Sequence, residues 1–272
     1  MSRTKGFTLV ELLVVIAIIA LLMSILMPTL SRVKIQAKAV MCQANLKQWG
    51  SVFLMYSGDN DGYFQDRVWF DDSSSPWLNP LCFGGHSWPT TLLPYYSDTK
   101  LRFCPMATKT YYQGAPLRFA AWFQLDNTLP TNAQEFVATG SYGMNSWIVK
   151  TDLGYTDENY WKTPNVKEAH DIPLLLDAWW PAGFPTDTDD PPAYDGEASW
   201  GGEIVRFCIN RHNGYINCLF CDWSVSKVGL KQLWVLKWHR AFRTNGPWTI
   251  AGGVTRSDWK RQAPWMLNFK DY

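Results

Sequence analysis

FTLVELLVVIAIIALLMSILM, Phe7 to Met27, is a run of 21 residues in which Glu11 is the only charge. At about 1.5 Å per residue a helix of this length reaches roughly 31 Å, enough to cross a hydrocarbon core of about 30 Å. The polar leader Met1 to Gly6 precedes it, and no small-residue cleavage site of the Ala-x-Ala kind follows it, so the run reads as a retained span rather than a secretory signal. Arg3 and Lys5 are expected to stay cytoplasmic, which sends everything after Met27 across the membrane.

Outward from this run, Pro28 predicts a kink or a short unwound stretch, because it lacks an N–H and its ring clashes with the preceding turn. Beyond it Leu30, Val33, Ala37, Val40, Met41, Ala44, Trp49, Val52, Phe53 and Tyr56 recur at three- and four-residue steps, the pattern of an amphipathic helix. Both parts together predict a helix of about 50 residues, about 75 Å long, ended by the turn cluster Gly58-Asp59-Asn60-Asp61-Gly62. The chain therefore divides into a leader (1–6), a membrane-spanning helix (7–28), an amphipathic stalk (29–57) and an extracytoplasmic head (58–272).

The head, about 215 residues, is long enough for one substantial domain. Segments 118–123, 172–177, 204–209 and 215–220 are short apolar runs between turn signals and predict strands; 225–240 begins as a strand and continues as a short amphipathic helix. The acidic, proline-bearing stretch Thr186 to Glu197 predicts an exposed loop. The expected class is α+β, with a long N-terminal transmembrane and stalk helix packed on a C-terminal domain built on an antiparallel sheet.

Lys5-Gly6-Phe7-Thr8-Leu9-Val10-Glu11-Leu12-Leu13 resembles, at every position, the leader of type IV prepilins and type II secretion pseudopilins. The resemblance implies cleavage after Gly6 and methylation of the new N-terminus at Phe7 by a prepilin peptidase. It also implies that Glu11, costly inside a membrane, meets the N-terminal amine of a neighbouring subunit during assembly. The partners it implies are that peptidase, sibling subunits, the inner membrane, and an ATPase acting through a membrane platform, with the head in the periplasm or at the cell surface. Loss of Arg3 and Lys5 takes the formal net charge from +1 to −1, and neither value implies a nucleic-acid partner.

His212 stands ten positions before Asp222, a spacing that resembles the C-terminal element of a large group of prepilin-type proteins named for a His, nine residues and an Asp-Gly pair. Here Trp223 replaces the glycine, which argues against a positive φ at that position. Asn45-Leu46-Lys47-Gln48, Phe103-Cys104-Pro105 and Ser141-Tyr142-Gly143-Met144-Asn145 also resemble recurrent elements of that group. A type I′ turn at Asn213-Gly214 between strands carrying 204–209 and 216–220 accounts for the element architecturally. It leaves His212 and Asp222 at opposite ends of a strand, too far apart for a catalytic dyad.

Six cysteines, Cys42, Cys82, Cys104, Cys208, Cys218 and Cys221, lie in a chain directed to an oxidising space. Pairings Cys208–Cys218 and Cys82–Cys104 are open; Cys42 reads as a buried stalk residue, and Cys218 and Cys221 as core residues on opposite strand faces. No cofactor is expected and no metal ligands are assigned. Resemblance to the major pseudopilins implies structural calcium but no ligand positions; Asp59, Asp61 and Gly62 match part of a calcium loop, although a helix-ending turn explains them better, and the acidic loop Asp187 to Asp195 is an alternative site.

Tryptophan is abundant, at 16 residues. Trp69-Phe70, Trp77, Trp88 and Trp179-Trp180 could form an aromatic surface for sugars or protein, although core and inter-subunit packing is the plainer reading. The sequence has no nucleophile-elbow, phosphate-loop or zinc-protease motif, so it is read as no enzyme. Two functions remain: a structural filament subunit, and a membrane-anchored envelope or polysaccharide-binding module that uses the prepilin route only for insertion.

Overall fold

The computed structural model describes residues 9–65, 88–125, 136–149, 157–198 and 202–272. Gly6, Phe7, Trp69, Phe70, Trp77 and Cys82 lie outside the described residues.

Helix α1 spans Leu9–Asp59, 51 residues and about 76 Å. Among the described residues it is the one helix long and apolar enough to cross a membrane. It passes through Pro28 without the predicted unwound stretch. The missing backbone bond and the ring clash, together about 3 kcal/mol, are absorbed within a helix that continues for several turns on both sides of the proline. Hydroxyls turn back onto the chain beside it: Ser24 Oγ donates to the Leu21 carbonyl at 2.7 Å and Thr29 Oγ1 to the Leu26 carbonyl at 2.8 Å. The helix stops where expected, with Asp61 and Gly62 at φ 55° and 79° and the Gly62 N–H on the Ser57 carbonyl at 2.8 Å.

The buried stripe of the stalk is Ala39, Cys42, Leu46, Trp49, Val52 and Phe53. This corrects the sequence reading in its first half, because Leu30, Val33, Val40 and Met41 stay 54–62% exposed. The stalk carries two apolar stripes, and the head covers one.

The head holds strands β1 (Lys109–Thr110), β2 (Ala120–Leu125), β3 (Phe136–Gly140), β4 (Tyr142–Asn145), β5 (Pro173–Asp177), β6 (Ala182–Gly183), β7 (Tyr215–Phe220) and β8 (Val225–Gly229). They form a three-stranded sheet, β1-β2-β3, and a five-stranded sheet, β6-β4-β5-β7-β8. β1–β2 and β4–β6 pair in parallel and the other neighbours antiparallel, so the expected antiparallel sheet is mixed at its margins. Helix α1 lies across β7 and β8. A methyl added to Gly50 would sit 3.1 Å from Leu219 Cδ1, so the missing side chain sets how closely the helix approaches β7.

Segment 204–209 is not a strand. Ile204–Arg206 forms a 3₁₀ turn and the chain continues irregularly, burying Ile204, Val205, Phe207, Cys208 and Ile209 without alternation. A continuous apolar run does not distinguish a buried strand from buried coil. The acidic loop is also tied in rather than free: Asp189 is buried, accepting from the N–H groups of Glu203 and Ile204 at 2.9 Å each, and Pro191 and Pro192 are buried with it.

The abundance of tryptophan has a structural account. Buried indole N–H groups of Trp49, Trp88, Trp122, Trp147 and Trp179 each donate to a backbone carbonyl at 2.7–3.0 Å, those of Leu101, Pro181, Tyr142, Pro185 and Val205. A head with short strands and many irregular segments has carbonyls that no ladder satisfies, and an indole fills volume while capping one of them. Trp88, Trp179 and Trp180 are at most 4% exposed, which removes them from the proposed aromatic surface.

Candidate functional site

The N-terminal half of α1 is one candidate. Leu9 to Met27 presents its large apolar side chains at 45–79% exposure, with Glu11 in the first turn. The outer stripe Leu30, Val33, Val40 and Met41 continues this apolar surface past the length that a bilayer covers.

The second candidate is a buried polar cluster where stalk and head meet. β5 is apolar from Pro173 to Leu176 and ends on Asp177, wholly buried and opposite Tyr142 of β4. On the α1-facing side of the sheet, Asp177 Oδ2 lies 3.1 Å from His212 Nε2 and accepts the Asn217 N–H at 2.9 Å, while Oδ1 lies 3.2 Å from Arg211 Nη1. Cys42 Sγ, from the stalk, is 3.5 Å from both carboxylate oxygens, and Cys104 Sγ is 3.4 Å from His212 Nε2. The Tyr142 hydroxyl stands 3.3 Å from Cys42 Sγ.

Arg211 uses every donor it has. Beyond Asp177, its guanidinium donates to the carbonyls of Arg118, Ser141, Ala120 and Ala178 at 2.6–3.2 Å, binding the start of β2 to the ends of β4 and β5. Burial by itself would raise the Asp177 carboxyl; the His212 charge and hydrogen bond, then Arg211 and the Asn217 N–H, outweigh it and hold the group well below the usual carboxylate range. Burial by itself would lower the His212 imidazole, and Asp177, then Cys104, push it up to about 10. Burial raises the Cys104 thiol well above its ordinary value.

His212 is therefore a site residue, but its carboxylate is Asp177 and not Asp222. As the strand length implied, Asp222 lies at the far end of β7, exposed, where its Oδ1 accepts from the Ser224 N–H and hydroxyl at 2.9 and 2.6 Å. There the Trp223 N–H bonds the Phe220 carbonyl at 2.9 Å, and the Phe220 N–H bonds the Ser224 carbonyl at 2.9 Å. This three-residue loop between β7 and β8 needs a left-handed residue at its third position. Trp223 takes it, at φ 68°, contrary to the expectation from its side chain. The cost of about 1–2 kcal/mol is offset by Trp223 packing on Phe64, ring centres 6.4 Å apart, and by Lys47 Nζ bonding its carbonyl at 2.8 Å.

At the other end Asn213 and Gly214 have φ 59° and 95°, as a type I′ turn requires, but only the strand after the turn exists. Of the segments singled out beside His212, Asn45 and Cys104 meet around the cluster with Ser141, while Asn145 ties the far end of β5. Asn45 Nδ2 donates to the Phe103 carbonyl at 2.9 Å, the Cys104 N–H donates to Ser141 Oγ at 2.6 Å, and Asn145 Nδ2 holds the Pro173 and Trp238 carbonyls at 2.9 Å each.

Among the described residues all five cysteines are free and buried, so Cys208 and Cys218 do not form the pairing left open above. Cys208 Sγ lies instead 3.9 Å from Met266 Sδ. Cys42, expected as a plain core residue, and Cys104 are members of the cluster. Three of the carboxylates in the partial calcium-loop matches have protein partners: Asp59 accepts from the Tyr95 hydroxyl at 3.1 Å, Asp187 pairs with Arg243 at 2.5 Å and Asp195 with Arg118 at 2.9 Å. Sequence reasoning missed Asp177; the available signal was an ionisable residue closing an otherwise apolar strand.

Residues 1–27 match the family model described as a prokaryotic N-terminal methylation motif. The chain is 43% identical over 68 residues to the type IV wide pilus major component PilA4 of Thermus thermophilus, an alignment covering 25% of this chain and 52% of that protein. The chain thus spans about half the length of the curated relative it matches. No solved structure matches it.

Proposed function

We propose that this chain, type IV pilin-like in its methylation motif, long apolar helix and α+β head, is a structural subunit of a filament, a type IV-like pilus or a type II secretion pseudopilus. The observation that carries the reading is the outer apolar stripe of α1. A bilayer of about 30 Å accounts for Leu9 to Met27, whereas Leu30, Val33, Val40 and Met41 lie beyond it and uncovered by the head. An anchor alone has no use for that second stripe; packing against sibling helices buries it. Cleavage after Gly6 would free the Phe7 amine, and Glu11 of an incoming subunit would pair with it, exchanging a lipid environment for protein contacts. The same pathway calls for a prepilin peptidase, a membrane platform with its ATPase, and passage through the inner membrane.

The test compares wild type, Glu11→Ala and Val40→Glu, measuring intact mass of membrane and sheared surface material. A methylated Phe7 N-terminus in all three, with filament-associated protein lost in both variants, is expected. Processed wild-type protein with no polymer on the surface or in the periplasm would overturn the filament reading in favour of an anchored binding module.

A further inference from the structure

We propose that Cys42, Cys104, Asp177 and His212 form a tetrahedral site for a thiolate-seeking divalent cation of the zinc class, and that the ion clamps the stalk helix to the head. The four donor atoms lie within 4.8 Å of one another, and all four side chains are buried. With metal bonds of about 2.3 Å to sulfur and 2.0–2.1 Å to nitrogen and oxygen, tetrahedral edges are about 3.6 Å from sulfur to nitrogen or oxygen and about 3.4 Å from nitrogen to oxygen. The corresponding separations here are 3.4 Å for Cys104 to His212, 3.5 Å for Cys42 to Asp177 and 3.1 Å for His212 to Asp177. Small adjustments of the imidazole and the carboxylate, opening their 3.1 Å separation and drawing in the wider donor pairs of up to 4.8 Å, would seat the ion.

Charge points the same way. Two thiolates and one carboxylate carry three negative charges, Arg211 beside Asp177 carries one positive charge, and a divalent ion brings the buried group to neutrality. On binding, the Cys42 and Cys104 thiols and the imidazolium that His212 forms beside Asp177 each release a proton to solvent, so that two thiolates and the Nε2 lone pair of a neutral imidazole face the ion. The surrounding groups are those that orient metal ligands: Arg211 and the Asn217 N–H fix the carboxylate, the Ser141 hydroxyl accepts the Cys104 N–H, and the Tyr142 hydroxyl faces Cys42 Sγ. A groove of about 990 Å³ between stalk and head, lined by Ala39, Val40, Met106, Arg211 and His212, runs beside the cluster, whose imidazole is itself wholly buried.

The two sulfur ligands come from elements 62 positions apart, Cys42 on α1 and Cys104 before β1, while Asp177 closes β5 and His212 precedes β7. Metal binding therefore ties the filament-forming helix to the domain it carries. The site does not depend on polymerisation, so either reading can fail without the other.

The experiment uses the full chain purified from membranes in mild detergent. Metal content per chain is measured as isolated; the protein is then stripped with chelator and titrated under reducing conditions with Zn²⁺ and with Co²⁺. One ion per chain is expected, with sulfur-to-cobalt charge transfer and a tetrahedral ligand-field spectrum. Cys104→Ser should weaken binding by at least about 100-fold, beyond the range for losing a supporting group, while Cys218→Ser, a buried thiol outside the cluster, should bind as wild type. Zn²⁺ should raise the denaturation midpoint of wild type and leave that of Cys104→Ser unchanged. Absence of stoichiometric Co²⁺ binding to the reduced wild-type chain would overturn the proposal, as would equal loss in Cys218→Ser. So would a mass showing Cys42 and Cys104 joined as a disulfide, if reduction restores no metal binding.

Discussion

Trp49 anchors the stalk in the head, and Trp49→Ala measures that attachment. Its indole is wholly buried, packs at 5.0 Å on Trp88 and 4.8 Å on Tyr96, and donates to the Leu101 carbonyl at 2.9 Å. A buried aromatic of 150–250 Å² contributes roughly 4–6 kcal/mol at about 25 cal/mol per Å², and measured truncations of Phe or Trp to Ala cost about 3–5 kcal/mol. The lost indole bond adds about 1 kcal/mol, part of which is already within the measured range. Trp49→Ala is therefore expected to destabilise the head by about 4 kcal/mol, and Trp49→Phe, which keeps an aromatic ring and loses the hydrogen bond, by about 1–2 kcal/mol. The assay is denaturant unfolding of the mature chain in non-denaturing detergent, followed by tryptophan emission and near-ultraviolet circular dichroism. An effect of Trp49→Ala below about 1 kcal/mol would refute the packing of the stalk on the head through this residue.

Gly143→Ala should destabilise by about 1–3 kcal/mol or more, because the added methyl would fall 2.6 Å from both Ala178 Cβ and the Trp180 carbonyl oxygen; a thermal melt within error of wild type would contradict the packing of β4. At position 223, Trp223→Gly should be more stable than Trp223→Ala by about 1 kcal/mol, since both lose the ring and only alanine keeps the penalty of φ 68°; equal stabilities would mean that the loop relaxes. The Asp177–His212 pair gives the metal-stripped chain a pH-dependent stability. The depressed Asp177 group contributes stability that is present above about pH 4 and lost as pH falls through its folded value, and the raised His212 group contributes stability that is present below about pH 6.5 and lost as pH rises through about 10. Denaturation midpoints should thus peak between these limits and fall on both sides, and a profile unchanged by Asp177→Asn would contradict the pairing.

Legible from the order of residues were the long helix, its stop at Gly58–Gly62, strands within 172–177 and 215–220, and the separation of His212 from Asp222. Each rests on local physics: a 21-residue apolar run, a turn cluster dense in Gly, Asp and Asn, and the fixed length of a strand. Local pattern could not say which of two apolar stripes on the stalk meets the head, since Val40 and Cys42 are equally apolar and only the surface of β7 and β8 selects between them. It could not reveal segment 204–209 as buried coil, because burial on every side erases periodicity. Nor could it place a left-handed tryptophan at 223, where loop geometry and contacts with Phe64 and Lys47 override intrinsic preference.

The cluster itself was legible only in pieces. Cys42, Cys104 and His212 stood out as residue types, but Asp177 looked like the end of a strand and Arg211 like a neighbour of His212. Tertiary structure brings them together because a buried carboxylate must find its cations and donors. The chain supplies these from positions 34 residues on at Arg211 and 135 residues back at Cys42, separations that no local pattern encodes.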